Sequence, residues 1–244
     1  MGLILATDDT GEAEIFASLQ GEGPSQGKPC AFIRLSRCNL ACVWCDTPYT
    51  WHFEGDNRPH RGGETYDRKA NQVSLTPEEA AARIAALGQP RLVVTGGEPL
   101  LQAPALAKLL ALLPDVRVEI ETNGTVAPTP ALDALVAQYN VSPKLAHSGN
   151  PADLALPPER LTAWAAEPRA ALKFVVAAPE DVEEVLALAD RFAIQRERVW
   201  LMAEGTDAAT LDGRERWLGP LCIEHGFAMS DRQHIRLFGD TRGT

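Results

Sequence analysis

The chain holds five cysteines in 244 residues, and the three that sit together, Cys38, Cys42 and Cys45, have no fourth beside them. Structural zinc and electron-transfer clusters take four protein ligands, so the shortage argues against a closed metal site. So few cysteines also exclude a secreted disulfide framework and imply a reducing compartment that leaves the thiols free. Long apolar runs are lacking: no stretch of about 18 residues suits a bilayer. The opening MGLILATDDTGEAEIF has neither a basic n-region nor a sustained apolar h-region. A cytoplasmic location without a membrane partner is expected. Basic groups are the minority, 23 against 33 acidic for a net charge of -10, which weighs against a nonspecific hold on nucleic acid. A small molecule is the expected partner.

What is present begins with the cysteine run itself. Thiolates bind soft metals, and a loop with spacings of two or three residues wraps a small cluster, so iron-sulfur and zinc are the options. Three ligands leave one metal position open. Cys30 and Cys222 have no such neighbours, and Cys30 falls in an apolar run where a buried thiol is ordinary.

Length and a 45% apolar content suit one domain over 1–244. Strand-like runs at 30–36, 91–95, 116–121, around NVS, at 172–176, 198–202 and in HIRLF alternate with helical patterns. Thr76-Pro77-Glu78-Glu79 supplies an N-cap, a proline at the first helical position and a capping-box Glu. Further helices are expected over 104–113, 130–138 and 179–192. Such alternation predicts an α/β fold with a parallel sheet. The unusual residues follow successive strands: the cysteines, then Gly96-Gly97-Glu98, Thr122-Asn123-Gly124 and Ser142-Pro143-Lys144. Placement at strand carboxyl ends predicts one convergent site on a full or partial (β/α) barrel, with a flat doubly wound sheet as the alternative. Residues 52–73 are polar and lack a hydrophobic period, so they read as an inserted, solvated loop, with a lid or a docking surface for an electron donor as the other reading. Residues 1–29 read as an N-terminal extension ending in a hairpin.

The Cys38, Cys42, Cys45 spacing resembles the radical S-adenosylmethionine (SAM) enzymes, and GGEPL at 96–100 resembles their second signature. SLQGEG at 18–23, FIRLSRCNLACVWCDTPYTW at 32–51, VTGGEPL, ETNGT, SPK and HIRLFG together resemble the 7-carboxy-7-deazaguanine synthase family, whose product leads to queuosine. Six ordered motifs over most of the chain are far more specific than three cysteines.

The resemblance implies an abbreviated barrel, a homodimer and an electron donor such as flavodoxin or ferredoxin. It implies a 4Fe-4S cluster on Cys38, Cys42 and Cys45, with SAM on the fourth iron, which accounts for the missing cysteine. In this family a 5′-deoxyadenosyl radical abstracts hydrogen from C6 of 6-carboxy-5,6,7,8-tetrahydropterin, after which the ring contracts and ammonia leaves. Matched motif by motif, Trp44, Asp46, Gly96, Gly97, Glu98, Thr122, Asn123, Ser142, Pro143, Lys144 and Glu204 fall to SAM. Gln20, Gly21, Glu22, Arg34, Thr95 and His234 fall to the pterin, with the Arg34 fork suited to its carboxylate. Thr47 matches a position that holds Mg²⁺. Plain alternatives stand beside these: a strand-to-helix turn at Gly96-Gly97, core packing for Trp44 and a structural His234. A radical SAM activase that places a glycyl radical on a partner is a second enzymatic reading. A zinc-stabilised binding module or an iron-sulfur redox sensor is the non-enzymatic one, and it leaves GGEPL, ETNGT and SPK unexplained.

Overall fold

The computed structural model describes residues 2–244. Ten strands form one sheet: β1 (Leu3–Ala6), β2 (Ile15–Leu19), β3 (Pro29–Leu35), β4 (Gln72–Leu75), β5 (Arg91–Gly96), β6 (Arg117–Thr122), β7 (Gln138–Val141), β8 (Ala170–Val176), β9 (Val199–Ala203) and β10 (Ala228–Ser230). The helices are α1 (Pro77–Ala86), α2 (Ala103–Ala111), α3 (Pro130–Asp133), α4 (Ala152–Ala155), α5 (Pro158–Ala166), α6 (Pro179–Arg191), α7 (Ala208–His225) and α8 (Gln233–Phe238). The spatial order is β10-β9-β8-β7-β6-β5-β3-β1-β4, with β2 also on β3. Pairing is parallel from β3 through β10. β1 and β2 lie antiparallel to β3, and β4 antiparallel to β1. The sheet stays open, so the expected partial barrel with an N-terminal hairpin extension is what the chain forms.

One face of the sheet is apolar and carries the helices. Ile33, Leu92, Val94, Ile120, Tyr139, Val141, Leu172, Phe174 and Leu201 meet the buried faces of α1, α2, α6 and α7 in a single core. The period-2 alternation of a strand sends the intervening residues to the opposite face. There stand Arg34, Thr95, Glu119, Glu121, Asn140 and Lys173. A closed barrel fills that interior with branched apolar side chains, whereas this open one is lined by polar groups.

Thr76 caps α1 as its sequence predicts, accepting from the Glu79 N–H while the Glu79 carboxylate accepts from the Thr76 N–H at 2.8 Å. Three expectations need correction. HIRLF is α8 and not a strand: only Ile235 of this helix is buried, and the last strand is instead β10. The helix expected over 130–138 ends at Asp133, where Arg169 donates to the carbonyls of Asp133 and Val136 at 2.9 and 3.0 Å, and β7 begins at Gln138. The segment 52–73 is only partly solvated. His52 and Phe53 are buried, Phe53 bridges Tyr66, and β4 begins within it at Gln72. Among the described residues no helix is long and apolar enough to cross a membrane.

Candidate active site

A cavity of about 530 Å³ opens on the polar face of the sheet and extends to the carboxyl ends of its strands. It receives every residue assigned to the cluster, SAM, the pterin or Mg²⁺ except Glu98 and Pro143. Its volume falls in the range of small-molecule sites.

The cysteine loop leaves β3 and folds over this opening. Its sulfurs are met by N–H groups: Leu40 N lies 3.4 Å and Asn123 Nδ2 3.8 Å from Cys38 Sγ, and Asn150 Nδ2 lies 3.3 Å from Cys42 Sγ. Burial pushes the free Cys38 thiol up to about 12 and Cys45 to about 11, and raises Cys42 as well. Thiols in such a setting ionise when a metal compensates the charge. Among the described residues no three His, Cys, Asp or Glu side chains converge as ligands of a single ion. Cys38, Cys42 and Cys45 all line the cavity, and in a four-iron cluster each thiolate holds its own iron.

Two glycines and a buried carboxylate build the adjoining wall. Gly96 has φ +139°, and a Cβ there would strike the Leu35 carbonyl; one on Gly97 would strike that of Arg37. The turn packs directly on the cysteine loop, with Glu98 N donating to Arg37 O at 2.9 Å. The Glu98 carboxylate turns inward, outside the cavity lining. It accepts from Leu100 N at 3.0 Å, Thr122 Oγ1 at 2.8 Å and Asn123 N at 2.7 Å, while burial raises its pKa. Expected at the SAM end of the site, Glu98 uses its carboxylate to position the glycine turn against β6. Pro143 likewise lies outside the cavity, while Ser142 and Lys144 line it. Lys144 Nζ donates to Ser142 Oγ at 2.7 Å and stands 5.8 Å from the Trp44 ring centre. Trp44 stacks on His147, and its buried Nε1 has no partner among the described residues.

The other end is a network of charges. Glu22 bonds Lys173 and receives Arg232 Nε at 3.1 Å, and His234 Nε2 lies 3.9 Å away. Burial alone would raise the Glu22 pKa, yet Lys173 and Arg232 outweigh it and lower it. Arg232 also bonds Asp46, so one guanidinium spans the cysteine loop and the hairpin turn. Asp46 is depressed as well, its burial overcome chiefly by Arg232. Burial lowers the His234 pKa and keeps the ring neutral near pH 7. Gln20 Nε2 donates to Glu121 at 3.1 Å, Thr95 Oγ1 stands 3.4 Å from the same carboxylate, and Arg34 Nε reaches Glu14 at 2.7 Å. Thr47 Oγ1 lies 3.7 Å from Cys45 Sγ. Arg61, from the inserted segment, spans the mouth to Glu204 at 2.9 Å, and Arg214 bonds Glu204 from the other side. His60 Nε2 meets the Cys45 carbonyl at 2.9 Å.

Glu14, Asn140, Lys173 and Arg232 escaped the sequence reading. Lys173 left one signal, as the sole charge in the apolar run ALKFVV. The others lie far from the cysteines in sequence and form no local motif.

An open β/α sheet whose carboxyl end carries a three-cysteine loop beside a glycine turn defines a radical SAM enzyme, and residues 32–142 match the model described as Radical SAM superfamily. That class brings a 4Fe-4S cluster and SAM as resident cofactors. A 7-carboxy-7-deazaguanine synthase of Pyrobaculum aerophilum is 37% identical over 233 residues, 94% of this chain and 95% of the relative. One from Rhodopirellula baltica is 34% identical over 95% of this chain and 88% of its own length. The crystal structure of QueE from Escherichia coli superposes with a TM-score of 0.68 at 26% identity, covering 96% of this chain and 95% of the other. The chain belongs to the 7-carboxy-7-deazaguanine synthase family.

Proposed function

We propose that this enzyme converts 6-carboxy-5,6,7,8-tetrahydropterin to 7-carboxy-7-deazaguanine with loss of ammonia, and so serves queuosine biosynthesis. The observation that carries the reading is one cavity lined both by the three cysteines and by the Gln20–Glu22 turn, in a chain whose relatives over nearly its full length are synthases of that name. When bound, the cluster and SAM supply a radical able to take hydrogen from an unactivated carbon.

The chain's own residues bind and orient. Cys38, Cys42 and Cys45 hold the cluster, with the Leu40, Asn123 and Asn150 N–H groups directed at the sulfurs. The Gly96-Gly97 backbone, Thr122, Asn123, Ser142, Lys144, Trp44 and Glu204 surround SAM. Arg34, its Nε held by Glu14, keeps its terminal NH₂ groups for the substrate carboxylate. Glu22, Gln20, Thr95 and His234 border the pterin ring. Thr47 supplies an oxygen for a Mg²⁺ that keeps most of its ligands from water and substrate. The whole chain forms one domain and works as a cytoplasmic homodimer that receives electrons from flavodoxin or ferredoxin. The homodimer and the electron donor rest on the family resemblance.

Anaerobic turnover tests the function: reconstituted protein, SAM, Mg²⁺, reductant and the tetrahydropterin, with products read by mass spectrometry. Formation of 7-carboxy-7-deazaguanine is expected. 5′-Deoxyadenosine without the deazaguanine would overturn the substrate assignment and bring the activase reading forward. Unchanged turnover after Mg²⁺ removal or in Thr47→Ala would withdraw the role of Thr47.

A further inference from the structure

Asn140 lies on the polar face of β7, 1% exposed, and lines the cavity. Its Oδ1 accepts from Gln138 Nε2 at 2.9 Å, while its Nδ2 has no hydrogen-bond partner among the described residues. The Gln138 donor sets the orientation of the amide, because exchanging O and N of Asn140 alone would turn one NH₂ group onto another. A buried amide N–H without a partner is disfavoured, and such a group beside a cavity points to a ligand that completes it.

The neighbours say which part of a ligand is read. Asn140 stands in register with Glu121 on β6 and with Ala171 on β8, one strand period short of Lys173 on the same face. A Cβ on Gly23, in the hairpin turn, would lie 3.7 Å from Asn140 Oδ1. Ser142 and Lys144, by contrast, follow β7 at its carboxyl end. The Asn140 amide therefore sits deep, under the hairpin turn and on the strand next to the carboxylate Glu121. The pterin ring carries N–H donors suited to carboxylates, and next to them a 4-oxo acceptor that no carboxylate can serve.

We infer that Asn140 is a specificity-determining residue whose Nδ2 donates to the 4-oxo group of the bound pterin. The inference rests on the pterin reading above and adds to it the group that selects a 4-oxo ring. A site whose buried donor loses its acceptor rejects the analogue strongly.

The test uses the reconstituted holoenzyme with SAM, kept anaerobic, and measures equilibrium binding of two stable fluorescent ligands: 6-carboxypterin and its 2,4-diamino analogue, which presents a donor at position 4. Wild type should favour 6-carboxypterin by about tenfold or more. Asn140→Asp, which can only accept when ionised, should reverse the preference, and Asn140→Ala should erase most of it. Wild type that binds both ligands equally would overturn the inference while leaving the pterin reading in place. So would an Asn140→Asp protein that keeps the wild-type preference, or variants that weaken both ligands alike with a lowered melting temperature. Wild type that binds neither ligand would overturn the pterin reading itself, and this inference with it.

Discussion

The Glu14 carboxylate lies 2.7 Å from Arg34 Nε and accepts from the Tyr49 hydroxyl at 3.1 Å. Glu14 is buried, so the pair is shielded from the screening that weakens surface ion pairs. Holding Arg34 by Nε orients the fork and leaves its outer edge for a carboxylate. Glu14→Gln should raise KM for the pterin by roughly tenfold, the scale of one charge-assisted hydrogen bond, and should spare uncoupled SAM cleavage. Steady-state kinetics beside a 5′-deoxyadenosine assay check both; an unchanged KM would mean that Arg34 is not steered by Glu14.

Replacing Cys38, Cys42 or Cys45 with Ala should abolish both the visible iron-sulfur absorption and SAM cleavage. Arg34→Ala and His234→Ala should retain both and lose the deazaguanine. Loss of the cluster in either of these latter variants would show that the cofactor and substrate ends are not separable.

Glu98 joins three buried donors from two strand ends, and its removal leaves Leu100 N, Thr122 Oγ1 and Asn123 N to be satisfied otherwise. Glu98→Ala should lower stability by about 1–3 kcal/mol, and Glu98→Gln by less because one oxygen remains. Denaturant midpoints of the cluster-free protein would measure this without interference from cofactor loading. A neutral Glu98→Ala would contradict the positioning role.

Gly21 packs against His234, and a Cβ at this position would run into the imidazole Nδ1. Gly21→Ala should therefore displace His234 and raise KM for the pterin while leaving cluster content unchanged. Kinetics paired with iron analysis would show the split, and a parallel loss of iron would place the damage elsewhere.

The cysteine loop, the glycine turn and the open α/β sheet were legible because each is written in consecutive residues. Spacing holds Cys38, Cys42 and Cys45 within one loop, and capping marks the start of α1. The charge network was not legible in this way. Glu22 meets Arg232 across 210 residues of sequence and Lys173 across 151, and only the sheet brings them together. α7 was hidden by Gly213, Gly219 and Pro220, residues that disfavour a helix interior yet lie within an 18-residue helix capped by Asp207. HIRLF carries a strand-like pattern, and its becoming a short helix depends on the sheet edge it follows, which the sequence does not display. That the Glu98 carboxylate is spent on Leu100, Thr122 and Asn123 was not legible either, because a motif gives no sign of which way a side chain points.

The same charge network sets the acid limit of the protein. Burial lowers the His234 pKa, so the folded state binds fewer protons than the unfolded chain just below the ordinary histidine value. A depressed folded pKa means that stability is present above the unfolded value and is lost as pH falls, here beginning near about 6.5. Glu22 behaves with the same sign at lower pH: Lys173 and Arg232 overcome its burial and depress it, so its contribution erodes below about 4.5. Stability of the cluster-free protein, followed by denaturant unfolding, should fall in two stages on acidification. His234→Gln should flatten the first stage only. Glu22→Gln should start from a lower stability, since Lys173 and Arg232 lose their shared anion, and should shrink the second stage, to which Asp46 also contributes. An unaltered first stage in His234→Gln would show that the buried imidazole is not the group that titrates there.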